Sequence, residues 1–325
     1  MSPGVHPLTD LGTDWSRSVG LRVPIVNAPM GGAAGGALAA AVSLAGGLGM
    51  VGMGSAGTGA RLDAELRHLR NLHVPFGIGL VHWALAREPE LLRTALAAGP
   101  ALLAVSFGDT WQWVRHAHDD GVITAAQVGD LQSAHGAVDA GVDILVARGC
   151  EAGGHGAPQV GTLPLLAAIL DEVSVPVLAA GGISSGRALA AVLAAGASAA
   201  WIGTAFAAST ESTAPEPVKR VLLSAGDTDT VTTRIFDVAQ GYPWPREFPE
   251  RVVRDDVVDQ WNGREDELDA DADARSRLAS LLATSDDNAY GVNAGQGVAL
   301  VRSVRRAADV VADMAAEAHA LLRRW

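Results

Sequence analysis

The sequence is short of several things, and each shortage removes a class of protein. A single cysteine, Cys150, in 325 residues leaves no internal disulfide to form, which fits a reducing compartment. Basic residues are outnumbered, 24 Lys and Arg against 36 Asp and Glu, so a formal net charge of −12 supplies no basic stripe for a nucleic-acid backbone. The acidic excess chiefly favours solubility. No apolar run is both long and glycine-poor enough to span a bilayer, and residues 1–18 carry Asp and Pro in place of an apolar signal segment. The expectation is a cytoplasmic protein with no nucleic-acid or membrane partner. Aromatic residues amount to only 5%, whereas hydrophobic residues reach 49% with Ala and Gly prominent, a composition suited to close helix-on-sheet packing.

What is abundant is one repeated unit. From residue 23 a short β-type apolar run, a Gly- or Pro-marked turn and an Ala/Leu-rich helical stretch alternate, which predicts a parallel sheet. Eight strands are predicted, at 23–28, 49–52, 76–80, 102–106, 121–125, 144–147, 177–180 and 200–203. Eight is the number that closes a barrel, so the fold class is α/β, a (βα)8 barrel. Helical patterns lie between, at 37–45, 60–72, 90–98, 131–140, 164–173 and 187–195, and several end in glycine, as helix C-termini favour. After Ser212 the rhythm stops. The stretch to about Asn288, with Tyr242-Pro243-Trp244-Pro245 and an acidic run over 264–273, reads as a helical insertion or lid. Residues 1–212 together with 290–325 are assigned to the barrel and 213–289 to the lid, with a last helix running to Trp325 and packing back on the barrel.

Ligands of parallel barrels sit at the C-terminal ends of the strands, and phosphate groups are often held after the seventh and eighth. Here the seventh strand runs into Gly181-Gly182-Ile183 and the eighth into Gly203-Thr204. Glycine lets backbone N–H groups approach phosphate oxygens, a following helix N-terminus adds a favourable dipole, and Ser184, Ser185 and Thr204 add hydroxyls. Either turn alone is as readily a strand terminator. Together they point to a phosphate, without naming the ligand, because many barrel isomerases and lyases share this architecture.

Four stretches resemble the nitronate monooxygenase family, FMN-dependent barrel enzymes formerly called 2-nitropropane dioxygenases. They are Pro24-Ile25-Val26-Asn27-Ala28-Pro29-Met30-Gly31, Arg148-Gly149-Cys150-Glu151-Ala152-Gly153-Gly154-His155-Gly156, Ala180-Gly181-Gly182-Ile183 and Trp201-Ile202-Gly203-Thr204-Ala205-Phe206, with Ala294-Gly295-Gln296-Gly297 a weaker fifth. The resemblance implies FMN as cofactor, lined by Ala28, Pro29 and Met30, with Gln127, Arg148, Gly153 and Gly154 near the ring. It implies a phosphate held by Gly181 and Gly182 and by Trp201, Ile202, Gly203 and Thr204. It also implies His155 facing the substrate, and a reaction in which a nitronate passes an electron to FMN and the substrate radical is trapped by O2, giving a carbonyl compound. Two positions depart from the family pattern: Arg148 where Gln is common, and Gly79 where Asn is common. Both are expected to face the flavin ring, where an Arg would be a fixed positive charge able to stabilise an anionic reduced flavin.

Other candidates carry bland readings beside the functional ones. His155 fits as a hydrogen-bond donor to nitronate oxygens, or as a base toward a neutral nitroalkane, and flanking glycines set it apart from the other histidines. His82 and Trp83, after the third strand, are secondary candidates for the substrate pocket or else exposed loop residues. His116 and His118 stand two apart, which on a helix points them to different faces, so no metal site is assigned. Cys150 reads as a small buried thiol, with a cysteine nucleophile as the alternative. Trp111 and Trp113 read as packing beneath the loop after the fourth strand. Three functions stay open: the nitronate oxidation with O2, an FMN-dependent NAD(P)H enoyl-thioester reductase, and a flavin-free isomerase or lyase acting on a phosphorylated metabolite. The oligomeric state is open too, a homodimer included.

Overall fold

The computed structural model describes residues 11–284 and 289–324. Residues 1–10, residues 285–288 at the far end of the expected lid, and Trp325 at the end of the expected last helix lie outside the described residues. The strands are β1 (Ile25–Asn27), β2 (Gly49–Met53), β3 (Phe76–Val81), β4 (Leu102–Ser106), β5 (Thr124–Val128), β6 (Ile144–Arg148), β7 (Gly154–His155), β8 (Val177–Ala180), β9 (Ala199–Ile202), β10 (Thr230–Thr233) and β11 (Glu250–Val253). Eight of them form one parallel sheet in the order β1-β9-β8-β6-β5-β4-β3-β2. A bridge between Val26 and Leu48, with the Leu48 N–H on the Ile25 carbonyl at 2.9 Å, brings β1 back to β2, so the predicted barrel is formed.

Alternation along each strand sorts side chains into two apolar layers. Val26, Met50, Leu102, Ile144, Leu178 and Trp201 meet inside the barrel. Their neighbours Ile25, Val51, Leu103, Leu145, Val177 and Ile202 face outward into the layer shared with the helices. Burial on both faces explains why these strands read as continuous apolar runs. The N-terminal end of the barrel is plugged by the helix Asp14–Ser18, whose Trp15 joins the inner layer. Thr13 caps that helix in a reciprocal box with Ser16, and its hydroxyl donates to the Ser198 carbonyl at 2.6 Å, just before β9.

Most barrel strands fall on their predicted ranges to within two residues, but β5 begins at Thr124 where the sequence suggests 121. The reason lies in the preceding helix, Gln112–Asp119, which sequence periodicity did not resolve. Gly121 adopts φ +70 and donates to the His118 carbonyl, while the Val122 N–H reaches back to the Ala117 carbonyl at 2.8 Å, so both residues finish the helix. That helix carries Trp113 into the core beside Trp111, as anticipated, with ring centroids 6.4 Å apart. His118 bonds Asp143 at 2.9 Å. A further short helix, His82–Arg87, also went unpredicted.

The 213–289 segment holds the helices Glu216–Ser224, Ile235–Gln240, Asp256–Trp261, Glu265–Ala270 and Ala272–Thr284, together with two strands that its composition did not announce. Ile235, Phe236, Val252, Val258 and Leu268 give it a small core of its own. Its β10 and β11 form an antiparallel hairpin, and β11 pairs in turn with β7, the two-residue strand in the loop beyond β6. The last helix, Ala307–Leu322, lies against Gly186–Ala194 and Gly36–Ala45. No helix among the described residues is long and apolar enough to cross a membrane.

Close packing of the last helix depends on Gly186, where a Cβ would lie 2.5 Å from the Met314 carbonyl oxygen. Gly186→Val is therefore expected to lower unfolding free energy in urea by about 1–3 kcal/mol through overpacking. The control is Gly136→Ala in the helix Leu131–Asp139, where a Cβ meets nothing within 4 Å. There the gain in helix propensity should raise stability by roughly 0.5–1 kcal/mol.

Candidate active site

A cavity of about 610 Å³ opens at the C-terminal ends of the barrel strands. It gathers nearly all the residues singled out from the sequence. Ala28, Pro29 and Met30 line it from beyond β1, Gln127 from β5 and Arg148 from the end of β6. Gly153, Gly154 and His155 come from the following loop, Gly181 and Gly182 from beyond β8, and Trp201, Gly203 and Thr204 from β9 and its end. Ile202 is the exception, and its expected place in the site is corrected. Strand alternation turns its side chain, 1% exposed, into the layer facing the helices, while its carbonyl accepts from the Ala28 N–H at 2.8 Å. His82 is directed to Thr110, with Nε2 2.6 Å from the hydroxyl, and does not line the cavity. Cys150 also stands outside it, its thiol 4.0 Å from the Glu151 carboxylate.

At one end three glycine turns meet. Gly181 and Gly182 take φ +121 and +67, conformations that side chains disfavour, and a Cβ on Gly181 would lie 2.4 Å from the Thr162 hydroxyl. The helix Gly186–Ala194 starts just beyond, capped by Ser185, whose hydroxyl is engaged with the Ala188 N–H at 3.2 Å. The late turn closes over both: the Gly295 N–H donates to the Thr204 hydroxyl at 3.0 Å, and a Cβ on Gly297 would be 2.7 Å from the Gly182 carbonyl oxygen and the Ser184 hydroxyl. Backbone amides, Ser184, Thr204 and a helix N-terminus thus converge without a side chain in the way. That donor set fits a phosphate monoester such as that of FMN.

Toward the other end Pro29 lies on a floor of two glycines. A Cβ on Gly79 would fall 2.2 Å from Pro29 Cγ, and one on Gly52 would fall 2.3 Å from the Pro29 carbonyl carbon. At position 79, where the sequence departs from the family pattern, the proline ring fills the space that a side chain would take. Arg148 departs from expectation in a different way. Its guanidinium is buried, and Nη2 donates to the carbonyls of Ala152, Gly153 and Gly154 at 3.2, 3.1 and 2.7 Å. Burial, and secondarily the nearby Arg251, lower its pKa to about 10, so it remains a cation at neutral pH. Its charge reaches the cavity wall, but its hydrogen bonds are spent on shaping the His155 loop.

His155 sits in β7, paired across to Glu250, with Gly154 opposite Arg251. Its Nε2 is 3.0 Å from both carboxylate oxygens of Asp237, and its ring stacks on Trp244 at 3.5 Å and 5°. Trp244 is anchored in turn, its indole N–H donating to the Ser55 hydroxyl at 3.1 Å. Phe107, held at φ +70, meets Trp244 edge-on at 5.1 Å, and Trp83 packs against Trp244 at 5.5 Å. Trp83 thus supports the cavity wall from behind. Glu250 is 4% exposed; burial first, and the Asp237 charge second, push its carboxyl well above the usual carboxylate range, opposed by a hydrogen bond with Asn293. Polar atoms of His155, Asp237 and Glu250 all lie within 4.8 Å of one another.

Asp237, Trp244, Glu250 and Phe107 were missed by sequence reasoning. The Tyr242-Pro243-Trp244-Pro245 run was visible as part of the insertion, yet nothing in it pointed at His155. Asp237 stands 82 residues from the histidine it binds, and only the pairing of β11 with β7 brings its neighbourhood there.

Comparisons with known proteins identify the family. The family model for nitronate monooxygenase matches residues 15–90 and 89–317. A nitronate monooxygenase of Paraburkholderia phytofirmans is 30% identical, over 92% of this chain and 93% of that protein. A (3aS,4S,5R,7aS)-5-hydroxy-7a-methyl-1-oxo-octahydro-1H-indene-4-carboxyl-CoA dehydrogenase of Rhodococcus jostii is 31% identical, over 77% of this chain and 68% of its own. The solved structure of nitroalkane oxidase from Streptomyces ansochromogenes is similar with a TM-score of 0.79 at 29% identity, covering 95% of this chain and 99% of that one. With the family match running through the barrel, the insertion and the last helix, the chain belongs to the nitronate monooxygenase family of oxidoreductases.

Proposed function

We propose that this oxidoreductase binds FMN and oxidises alkyl nitronates with O2 to carbonyl compounds. The observation that carries the reading is the meeting, in one cavity, of the glycine turns at Gly181, Gly182, Gly203 and Thr204, open to a phosphate, with His155 and Pro29. Ala28, Pro29, Met30, Gln127, Arg148 and Gly153 would hold the flavin ring. FMN, when bound, supplies the electron acceptor that the amino-acid side chains lack. The chain's own residues bind and orient. The Arg148 cation favours an anion at the cavity wall. His155 borders the substrate side of the cavity, and Trp244, Tyr242 and Phe107 screen that side from water. Membership of an oxidoreductase family sets aside the isomerase or lyase reading. The single cysteine and acidic balance fit a cytoplasmic location.

A second reading, a flavin oxidoreductase acting on an acyl thioester with a nicotinamide partner, is favoured by two observations. One relative at 31% identity is named for a carboxyl-CoA substrate. The cavity is also lined by Ala56, Arg61, Thr213 and Val218, which are outside the set assigned to the flavin and would be available to a longer substrate.

Purified protein incubated with FMN and desalted should keep a flavin absorption spectrum; a colourless protein would end the leading reading. Under anaerobic conditions the nitronates of 2-nitropropane or 3-nitropropionate should bleach it, whereas fast bleaching by NADPH with no response to nitronates selects the thioester reading. Gly182→Val, which puts a branched side chain at φ +67, should weaken FMN binding by about tenfold or more, on the order of the 1–2 kcal/mol that a left-handed residue costs. Ultrafiltration with fluorescence of the free flavin measures it. His155→Ala should retain the flavin and reduce turnover of a neutral nitroalkane by roughly 10²–10⁴; loss of flavin instead would show that the imidazole belongs to cofactor binding.

A further inference from the structure

A nitronate already carries its electron pair on carbon, so its oxidation requires no base. The site nevertheless builds the surroundings of one. Both oxygens of Asp237 accept from Nε2 of His155 at 3.0 Å, Trp244 fixes the plane of the ring at 3.5 Å, and the β7–β11 register fixes the backbone behind it. With the Nε2 proton held by the carboxylate, the neutral imidazole has its lone pair on Nδ1. Glu250, opposite His155 in that register, completes a cluster in which the three polar groups lie within 4.8 Å of one another. Two carboxyl groups this close, one of them 4% exposed, share a proton at lower cost than they both ionise.

The other charges facing the imidazole do not supply a counterion. From β6, Arg148 holds the Gly154 carbonyl at 2.7 Å, and from β11 the Arg251 Nε holds the Cys150 carbonyl at 2.9 Å, so both cations grip the loop that carries His155 and disfavour a positive ring. Glu151 is engaged with the N–H and hydroxyl of Thr162, each at 2.7 Å. Tyr242 and Tyr290 line the cavity and bring no basic side chain to it. An imidazolium at position 155 therefore rests on Asp237.

We propose that Asp237 and Glu250 are positioning residues for His155: Asp237 bears the negative charge that orients the ring and stabilises its protonated form, and Glu250 bears a proton that holds the pair at one negative charge. The inference rests on the flavin-oxidase reading for its substrate, taken here as a neutral nitroalkane. In the step it describes, the α C–H bond of the nitroalkane breaks and a bond from that hydrogen to Nδ1 forms. The C–H electron pair stays on the substrate as its nitronate, and the imidazolium pairs with Asp237.

The test combines NMR titration of ¹⁵N-histidine-labelled holoenzyme, with His155 assigned by its loss in His155→Gln, and steady-state kinetics on a neutral nitroalkane and its preformed nitronate. A carboxylate favours the imidazolium, so Asp237→Asn should move the His155 midpoint down by about one pH unit or more. The ascending limb of kcat/KM for the nitroalkane should follow it to lower pH. The nitroalkane rate should fall about 100-fold and the nitronate rate far less. Asp237→Glu, which keeps the charge, should restore most of the midpoint. Glu250→Gln, which mimics a protonated carboxyl, should hold the midpoint where it is. The proposal is overturned if Asp237→Asn leaves the midpoint unmoved, or if Glu250→Gln lowers it as Asp237→Asn does. Saturable Mn²⁺ or Zn²⁺ binding that EDTA reverses and Glu250→Gln abolishes would also overturn it, since the cluster would then serve a cation. The midpoint is read without any nitro compound, so failure of every nitro substrate would strike the flavin-oxidase reading alone.

Discussion

Two pairs of antiparallel residues, Gly154 with Arg251 and His155 with Glu250, join the insertion to the barrel, and the geometry of the site follows from that short ladder. The loop beyond β6 is by itself a glycine-rich excursion with no regular structure to hold it. Pairing with β11 gives it a register, and the register decides which side chains share a face with His155. The same hairpin lies beside the helix Ile235–Gln240, which brings Asp237, and its connection brings Trp244. Arg148 works on the same segment from below, its guanidinium gathering three successive carbonyls of the loop. A cation spent on backbone oxygens is an expensive way to shape a loop, and it shows how strongly the orientation of His155 is determined.

The opposite half of the cavity is governed by distance of approach. At Gly181, Gly297, Gly52 and Gly79 the neighbouring atoms stand closer than any Cβ allows. Around Gly181 and Gly297 this closeness draws backbone donors and the Thr204 and Ser184 hydroxyls together. Around Gly52 and Gly79 it lets Pro29 settle onto the sheet. One half is thus made of hydrogen-bond donors with no side chains between them, and the other of rings held edge-on and face-on around Trp244.

Much of this was legible in the sequence, and the limits have physical causes. Barrel strands are buried on both faces and bounded by turns, so their positions show as apolar runs; the glycine turns after β8 and β9 could be placed by counting units. β5 was misjudged because Gly121 and Val122, apolar and turn-like, belong to a helix stop. Ile202 was drawn into the site because a motif is contiguous, whereas strand alternation gives the cavity only every second side chain. Asp237 and Glu250 could not be seen at all. An isolated acid in a charge-rich segment looks like any solvated acid, and what distinguishes these two is burial beside a histidine far away in the chain. The same reasoning accounts for Arg148, visible as a departure from the family, whose partners are carbonyl groups that no side-chain pattern reports.

The packing of Pro29 on Gly79 ties two distant parts of the chain together. The proline ring occupies the space that a side chain at position 79 would take, so in this chain the two positions are not independent. Any residue larger than glycine at 79 would lift the loop after β1 off the sheet, and Ala28 and Met30 with it, so a change on β3 would be felt as a change in the depth of the cavity.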